Sequence, residues 1–499
     1  MTRPEVQAAL AALSQNRSAE AQALLQAAGP DLFDDPTAMQ VWSLAAGDLG
    51  QRAAALAAQE RAARLAPGDA QTQFNYGVLL QQGQDLAAAM ARYSQALRLA
   101  PDHRGALNNL SDLYRRRGRS AEGYGLMARF LAGGGDARGL ELRLAKLALD
   151  TRRWDEAEHW FGAAARAKPG DAQIAFEHAM LALLREDWAK GWPLYEARLR
   201  VHGGPGLAMH TYPLAPWDGA AAGRVLLHRE QGLGDAIMFA SAVPDMIAAG
   251  VTPHLAQAAS LQRLFAASFP RAQVWASVTA AGVAEQPTQP FLRVCGPLDA
   301  QAPICSLGAL RMAGGPPPKR AYLRAPGEEM AAWKDRLDAL APPRTGVRRI
   351  GLCFAARRPT FSADGLTNGE LKSIPAAVLA RLAEVANVQW ISLHDASTAA
   401  LFADAVGIDC VDLSPWITDF ADTAAVIAHL DLVVTVDTAV AHLAGALGAP
   451  TWLMLRHQAD WRWGLDRADT VWYRDIQCFR QPQAGDWAAV VEAVAQALR

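Results

Sequence analysis

The 499-residue sequence predicts an α-solenoid followed by two Rossmann-like α/β domains that face a cleft. Three observations carry this. Breaks recur at a 34-residue interval over the first 200 residues. The last 300 residues alternate short apolar runs with amphipathic stretches, the pattern of parallel sheets. Two Pro- and Gly-rich stretches separate the blocks. The expected boundaries are 1–200 for the repeats, 201–322 for the first α/β domain, 323–344 for a connection and 345–499 for the second α/β domain. The last helix is expected to pack back on the first α/β domain.

Pro67, Pro101 and Pro169 set the period, at intervals of 34 and 68. The missing member falls at Gly135, another helix breaker, and Trp154 and Trp188 keep the same register. Gly77, Ala89, Ala96 and Pro101 stand where a unit of two closely packed helices wants small residues or a helix end, and Leu110, Tyr114 and Gly118 continue the pattern. This resembles the tetratricopeptide (TPR) repeat, with residues 1–66 as weaker, capping-type units. Such a stack offers a concave surface to a protein or peptide. Asn75, Asn108 and Asn109 are its groove candidates, because an amide serves a peptide backbone as donor and acceptor; the alternative for each is a solvated helix position.

Composition narrows the function. Charged residues make up 20% and the net charge is −2, without the basic excess of a nucleic-acid or membrane-surface protein. No apolar run approaches the ~20 residues of a membrane span, and the N-terminus lacks a signal-peptide core, so a cytoplasmic location is expected. The five cysteines are scattered with no C-x-x-C pair.

The strands expected in the α/β region are RVLLH, TPHLAQ, AQVWAS, RIGLCFAA, VQWISLH, DLVVTV and PTWLML. After the first comes EQGLGDAIMFA, an acidic, glycine-containing loop opening a helix. The third glycine of a dinucleotide fingerprint would fall at Ile237, so the loop is not of that kind. Asp235 is either a helix N-cap or a carboxylate presented for proton transfer, with Glu230 as a second base candidate and Gly232 and Gly234 allowing close approach. DLVVTVDTAVAHLAG places Thr438 and Ala439 amides at a helix start, an anion site, with Asp437 as its cap or a sugar ligand and His442 in the first turns. The loop 355–375 is long for its place and carries Arg357 and Lys372. Beyond PTWLML, His457, Asp460 and Arg462 are expected to line the pocket, with Trp461 and Trp463 split between core and surface.

The loop motif and the Asp-Thr-Ala-x-Ala-His motif together resemble the GT-B glycosyltransferases, in particular the family 9, heptosyltransferase-like group; the whole layout resembles flagellin glycosyltransferases of the FlmG kind. The resemblance implies an inverting, metal-independent transfer with no cofactor beyond a nucleotide-sugar co-substrate. Asp235 would be the base, and the basic residue before the Ser-Ile-Pro helix start, Lys372, would neutralise donor phosphate. It further implies a docked protein acceptor, with flagellin expected, and a nonulosonic acid such as pseudaminic acid carried on CMP. The alternatives are a lipid or polysaccharide acceptor, or an adaptor with an inactive α/β region.

Overall fold

The computed structural model describes residues 3–201, 212–220, 223–277, 290–356, 368–395 and 408–499. The chain forms two compact units that divide between Ala167 and Lys168.

The first unit is a run of antiparallel helix pairs resembling tetratricopeptide repeats. They are Pro4–Ser14 with Ser18–Ala27, Pro36–Asp48 with Arg52–Leu65, Ala70–Gln82 with Leu86–Leu99, Arg104–Arg116 with Ser120–Ala132, and Glu141–Asp150 with Trp154–Ala167. Aspartates start several of them: Asp35 accepts from the amides of Thr37 and Ala38, Asp69 from Thr72, and Asp85 from Ala88. Small residues set the spacing within a pair. A Cβ added at Gly77 would stand 2.6 Å from the Tyr93 ring, so only glycine lets that ring lie on the helix.

The period is clearest in the turn inside each pair. Asn16, Gly50, Gln84, Gly118, Arg152 and Glu186 all have positive φ at one 34-residue interval. Four of these six carry a side chain in a conformation that favours glycine. Gln84→Gly is therefore expected to stabilise the first unit by about 1 kcal/mol, read as a raised urea midpoint at unchanged slope.

The second unit opens with one more helix pair, Ala172–Leu184 and Trp188–Tyr195, and a 3-10 turn, Glu196–Arg200. The sequence places this pair with the repeats. In the structure Trp192, Tyr195 and Arg198 are almost fully buried against the α/β elements, which is why the units divide earlier than residue 200.

Two parallel sheets follow. The first holds β1 (Arg224–His228), β2 (Thr252–Ala258), β3 (Gln273–Ser277) and β4 (Ala300–Pro303), in the order β3-β2-β1-β4. The second holds β5 (Arg348–Cys353), β6 (Val388–Ser392), β7 (Cys410–Val411), β8 (Leu432–Val436), β9 (Thr451–Leu455) and β10 (Ile476–Arg480), in the order β10-β9-β8-β5-β6-β7. Strand order reverses between β1 and β4 and between β5 and β8. The carboxyl ends of the strands at those two places are the usual ligand position of such sheets.

The helix Gly327–Leu340 lies in the stretch expected as a connection. It buries Trp333, whose Nε1 donates to Asp422 at 3.1 Å. The final helix, Trp487–Leu498, does not return to the first sheet as expected. Val490, Val491, Val494 and Leu498 join Ile350, Leu382 and Trp390 in the core of the second sheet.

Candidate functional site

At the carboxyl end of β1 the chain turns through Glu230, Gln231 and Gly232 into the helix Leu233–Phe239. Gly232 is the N-cap, so Asp235 does not cap the helix from outside. It sits in the first turn, and its Oδ2 accepts the Gly232 N–H at 3.0 Å. A carboxylate suits that helix end electrostatically. Its other oxygen, Oδ1, pairs with Arg462 Nη2.

Arg462 comes from the second sheet. The 3-10 turn Trp461–Trp463 follows β9, with Asp460 as its N-cap. The Arg462 side chain is 10% exposed; its Nη1 donates to Asp460 Oδ1 at 2.6 Å, and its guanidinium lies over the Trp461 ring. Burial disfavours the charged guanidinium, but Asp235 and Asp460 outweigh this and hold Arg462 firmly protonated. Burial likewise opposes ionisation of Asp460, and Arg462 and Lys372 hold it well below the usual carboxylate range. Trp461 and Trp463 are both buried, rather than split between core and surface. A 3-10 turn does not alternate its side chains as a strand does.

The second helix start belongs to β8. Thr438, not Asp437, caps the helix Ala439–Leu447, taking the Val440 N–H at 3.3 Å. Asp437 instead pairs with Lys372 Nζ at 2.5 Å, across the strand-order reversal between β5 and β8. Burial pushes the Asp437 carboxyl up, and Lys372 more than offsets this, leaving it below its ordinary value. The Ser-Ile-Pro stretch is pinned beside it: Ser373 Oγ takes the Ala356 N–H at 3.0 Å, and the Ile374 N–H donates to Phe354 at 2.9 Å.

The two helix starts touch. A Cβ at Gly234 would stand 2.8 Å from His442 Cδ2 and 3.5 Å from Ala439 Cα. The room that Gly234 leaves is thus filled by His442. The His442 ring stacks on Trp463 at 4.9 Å, and its Nδ1 meets Tyr473 OH at 2.9 Å. Burial pushes the imidazole pKa down to about 4, so it is neutral near pH 7.

Other expected site residues have different neighbours. Both oxygens of the buried Glu230 are held by Arg198, at 3.0 and 2.7 Å, and Oε1 also takes the Cys305 N–H at 3.1 Å. His457 is fastened to Gln481, its N–H at 3.0 Å from Oε1 and its Nδ1 3.2 Å from the carbonyl. Arg357 lies outside the described residues. In the first unit, Asn75 accepts from Gln71 at 2.8 Å. Asn109 donates to Tyr93 OH at 3.2 Å, and Asn108 accepts from Arg143 Nε at 3.3 Å. Arg143 also binds the buried Asp112. The sequence reading did not single out Arg198, Tyr195, Tyr473 or Arg143. Arg143 stands one 34-residue period after Asn109 and was open to discovery that way.

Among these residues, Asp235, Asp437 and Asp460 share Lys372 and Arg462. Removing the shared cation leaves two poorly hydrated carboxylates facing each other. Arg462→Met is expected to destabilise the second unit by about 3–5 kcal/mol in chemical denaturation. A loss below about 1 kcal/mol would mean that water replaces the guanidinium.

Residues 377–464 match the family described as glycosyltransferase family 9 (heptosyltransferase). The span contains Asp437, Thr438, Ala439, His442, His457, Asp460 and Arg462; Asp235 and Lys372 lie before it. Protein FlbA of Caulobacter vibrioides is 30% identical over an alignment of 359 residues that covers 67% of this chain and 57% of FlbA. The chain therefore spans little more than half the length of that relative. Among solved structures, a glycosyl transferase family 9 protein from Veillonella parvula aligns at 12% identity and TM-score 0.42, over 56% of this chain and 98% of its own. PilF of Pseudomonas aeruginosa aligns at 18% identity and TM-score 0.35, over 40% of this chain and 91% of its own. Among the described residues no helix is long and apolar enough to cross a membrane.

Proposed function

We propose, from the premise that this chain carries a glycosyltransferase family 9 domain behind helical repeats, that it is a protein O-glycosyltransferase of GT-B type. It moves a sugar from a nucleotide-sugar donor to Ser or Thr of a protein held by the repeats. The observation that carries the reading is the meeting of Asp235 with Arg462 between the carboxyl ends of two parallel sheets, next to the Asp437–Lys372 pair. A base on one side and cations on the other are what an inverting displacement at an anomeric carbon needs.

In this reading the acceptor hydroxyl attacks the anomeric carbon, Asp235 takes its proton, and the bond to the nucleotide phosphate breaks. The departing phosphate is met by Lys372, Arg462 and the amides at Thr438 and Ala439. No metal ion or cofactor is required, because these groups take up the negative charge. Both oxygens of Asp235 are engaged in the structure. The donor phosphate therefore competes with Asp235 for Arg462, and its arrival frees the base. His442, neutral and buried, supports this helix start, and Glu230 serves as an ion-pair partner of Arg198. Gly232 closes the loop ahead of Asp235, while Asp460 holds Arg462 from its other side.

The acceptor we favour is flagellin in the bacterial cytoplasm, and the donor a CMP-linked nonulosonic acid such as pseudaminic acid. The polar groove of Asn75, Asn108, Asn109 and Arg143 suits an extended peptide backbone. The heptosyltransferase description of the matched family favours a second reading, heptose transfer to a lipid or saccharide.

One experiment separates the two. The protein is incubated with CMP-pseudaminic acid, other CMP-nonulosonic acids or an ADP-heptose, together with flagellin or a lipid acceptor, and products are read by intact mass. A flagellin mass increase with a CMP-sugar is expected. Transfer confined to the lipid acceptor would establish the second reading, and no product with any pair would overturn both.

A further inference from the structure

The last helix pair keeps the repeat register, yet its buried side chains serve the α/β elements. Trp192 Nε1 donates to the Met312 carbonyl at 2.8 Å, and its ring lies so close on Gly308 that a Cβ there would stand 2.4 Å away. Tyr195 OH accepts from Gln231 Nε2 at 2.8 Å. Arg198 makes its two-pronged contact with Glu230. Gln231 and Glu230 are the two residues immediately before Gly232, in the loop that leads to Asp235. The same pair also reaches the other sheet. The rings of Trp192 and Tyr195 meet Trp461, the neighbour of Arg462, edge-on at 5.6 and 6.0 Å.

We propose that this helix pair is a positioning brace. It fixes the 229–235 loop of the first sheet and the 460–463 turn of the second in the register that brings Asp235 to Arg462. A simple packing interface would bury apolar side chains wherever the surfaces met. Here, beside further contacts to Ser306, Met312, Phe239 and Trp472, Tyr195 and Arg198 place polar bonds on the two residues preceding the Gly232 cap, and Trp192 and Tyr195 place rings on the residue preceding Arg462. Directional bonds from a rigid helix hold a loop more narrowly than apolar contact alone. The catalytic consequence rests on reading Asp235 as the base; the mechanical statement does not. The final repeat thus belongs to the machinery of transfer rather than to docking.

The test uses the full chain and two mild variants. Tyr195→Phe keeps the ring and loses the bond to Gln231. Arg198→Lys keeps the charge and loses the two-pronged grip on Glu230. Amide hydrogen exchange at residues 229–236 is expected to quicken by about tenfold or more in both, with β1, β2 and β9 unchanged. Exchange at 229–236 as in the wild type, or faster exchange across both sheets together, would overturn the brace. In the transfer assay kcat is expected to fall about tenfold while the donor KM stays within about twofold, because misplacement of the base costs rate and not donor binding. A matched loss in donor KM would mark the residues as general structural support and sink the proposal. If the wild type transfers no sugar, the glycosyltransferase reading fails, and the exchange measurement still decides the brace.

Discussion

Asp235→Asn is expected to lower the sugar-transfer rate about a hundredfold to ten-thousandfold while the second unit stays folded. The substitution is chosen to separate the two chemical roles of this carboxylate. As a first-turn residue, Asp235 accepts the Gly232 N–H through Oδ2. The carbonyl oxygen of asparagine accepts the same bond, so the helix start is kept. Arg462 keeps its bond to Asp460. What asparagine cannot do is take a proton from the acceptor hydroxyl. A helix-start role alone predicts near-wild-type transfer by Asp235→Asn and a loss only in Asp235→Ala. A base predicts that both fail, with the donor still bound. The measurement is the initial rate of acceptor mass gain under saturating donor, with donor affinity followed by calorimetry. Full activity of Asp235→Asn would remove Asp235 from the chemistry and turn attention to what else the cleft presents.

That two-way reading shows what the sequence makes legible. The repeat period and the seven clearest strands follow from patterning, because prolines, small residues and apolar runs act locally. The strands that escape notice are β4, β7 and β10. β4 is a short Ala-Gln-Ala-Pro edge and β7 is only two residues long. β10, also at an edge, mixes polar and apolar residues. The turn ladder at Asn16, Gln84, Arg152 and Glu186 is hidden for a different reason. Tertiary packing of each helix pair overrides the preference of those residues, so glycine no longer signals the turn. At the site, the motifs point to the right loops, but pairing is a three-dimensional property. Arg462 lies 227 residues from Asp235, and Lys372 is 65 residues from Asp437. Nothing local says that Glu230 is claimed by an arginine of the 3-10 turn that follows the last helix pair.

Acid provides the sharpest stability test, because two buried imidazoles are held neutral. His442 and His394 are each pushed down to about 4, chiefly by burial, with nearby carboxylates opposing. For His394 the geometry adds a reason: the Phe354 N–H donates to its Nε2 at 3.2 Å, a bond that needs the nitrogen lone pair. In the unfolded chain both rings take up protons as the pH falls through about 6.5. In the folded chain they resist until about pH 4. Between those values the unfolded state holds more protons, so stability rises with pH across the window and is lost as the pH falls through it. The effect is worth up to about 3 kcal/mol for each ring. His254, shifted down by partial burial, contributes in the same direction. Below about pH 4 the paired carboxylates Asp112, Asp437 and Asp460, held below their ordinary values, add a second loss. The unfolding free energy of the second unit is therefore expected to fall by several kcal/mol between pH 7 and pH 4.5. His442→Gln removes one of the two most strongly shifted rings and is expected to reduce the slope by somewhat less than half over that range. A stability flat from pH 7 to pH 4.5 would mean that the rings gain partners on protonation, and that the His442–Tyr473 contact rearranges to accept a charged imidazole.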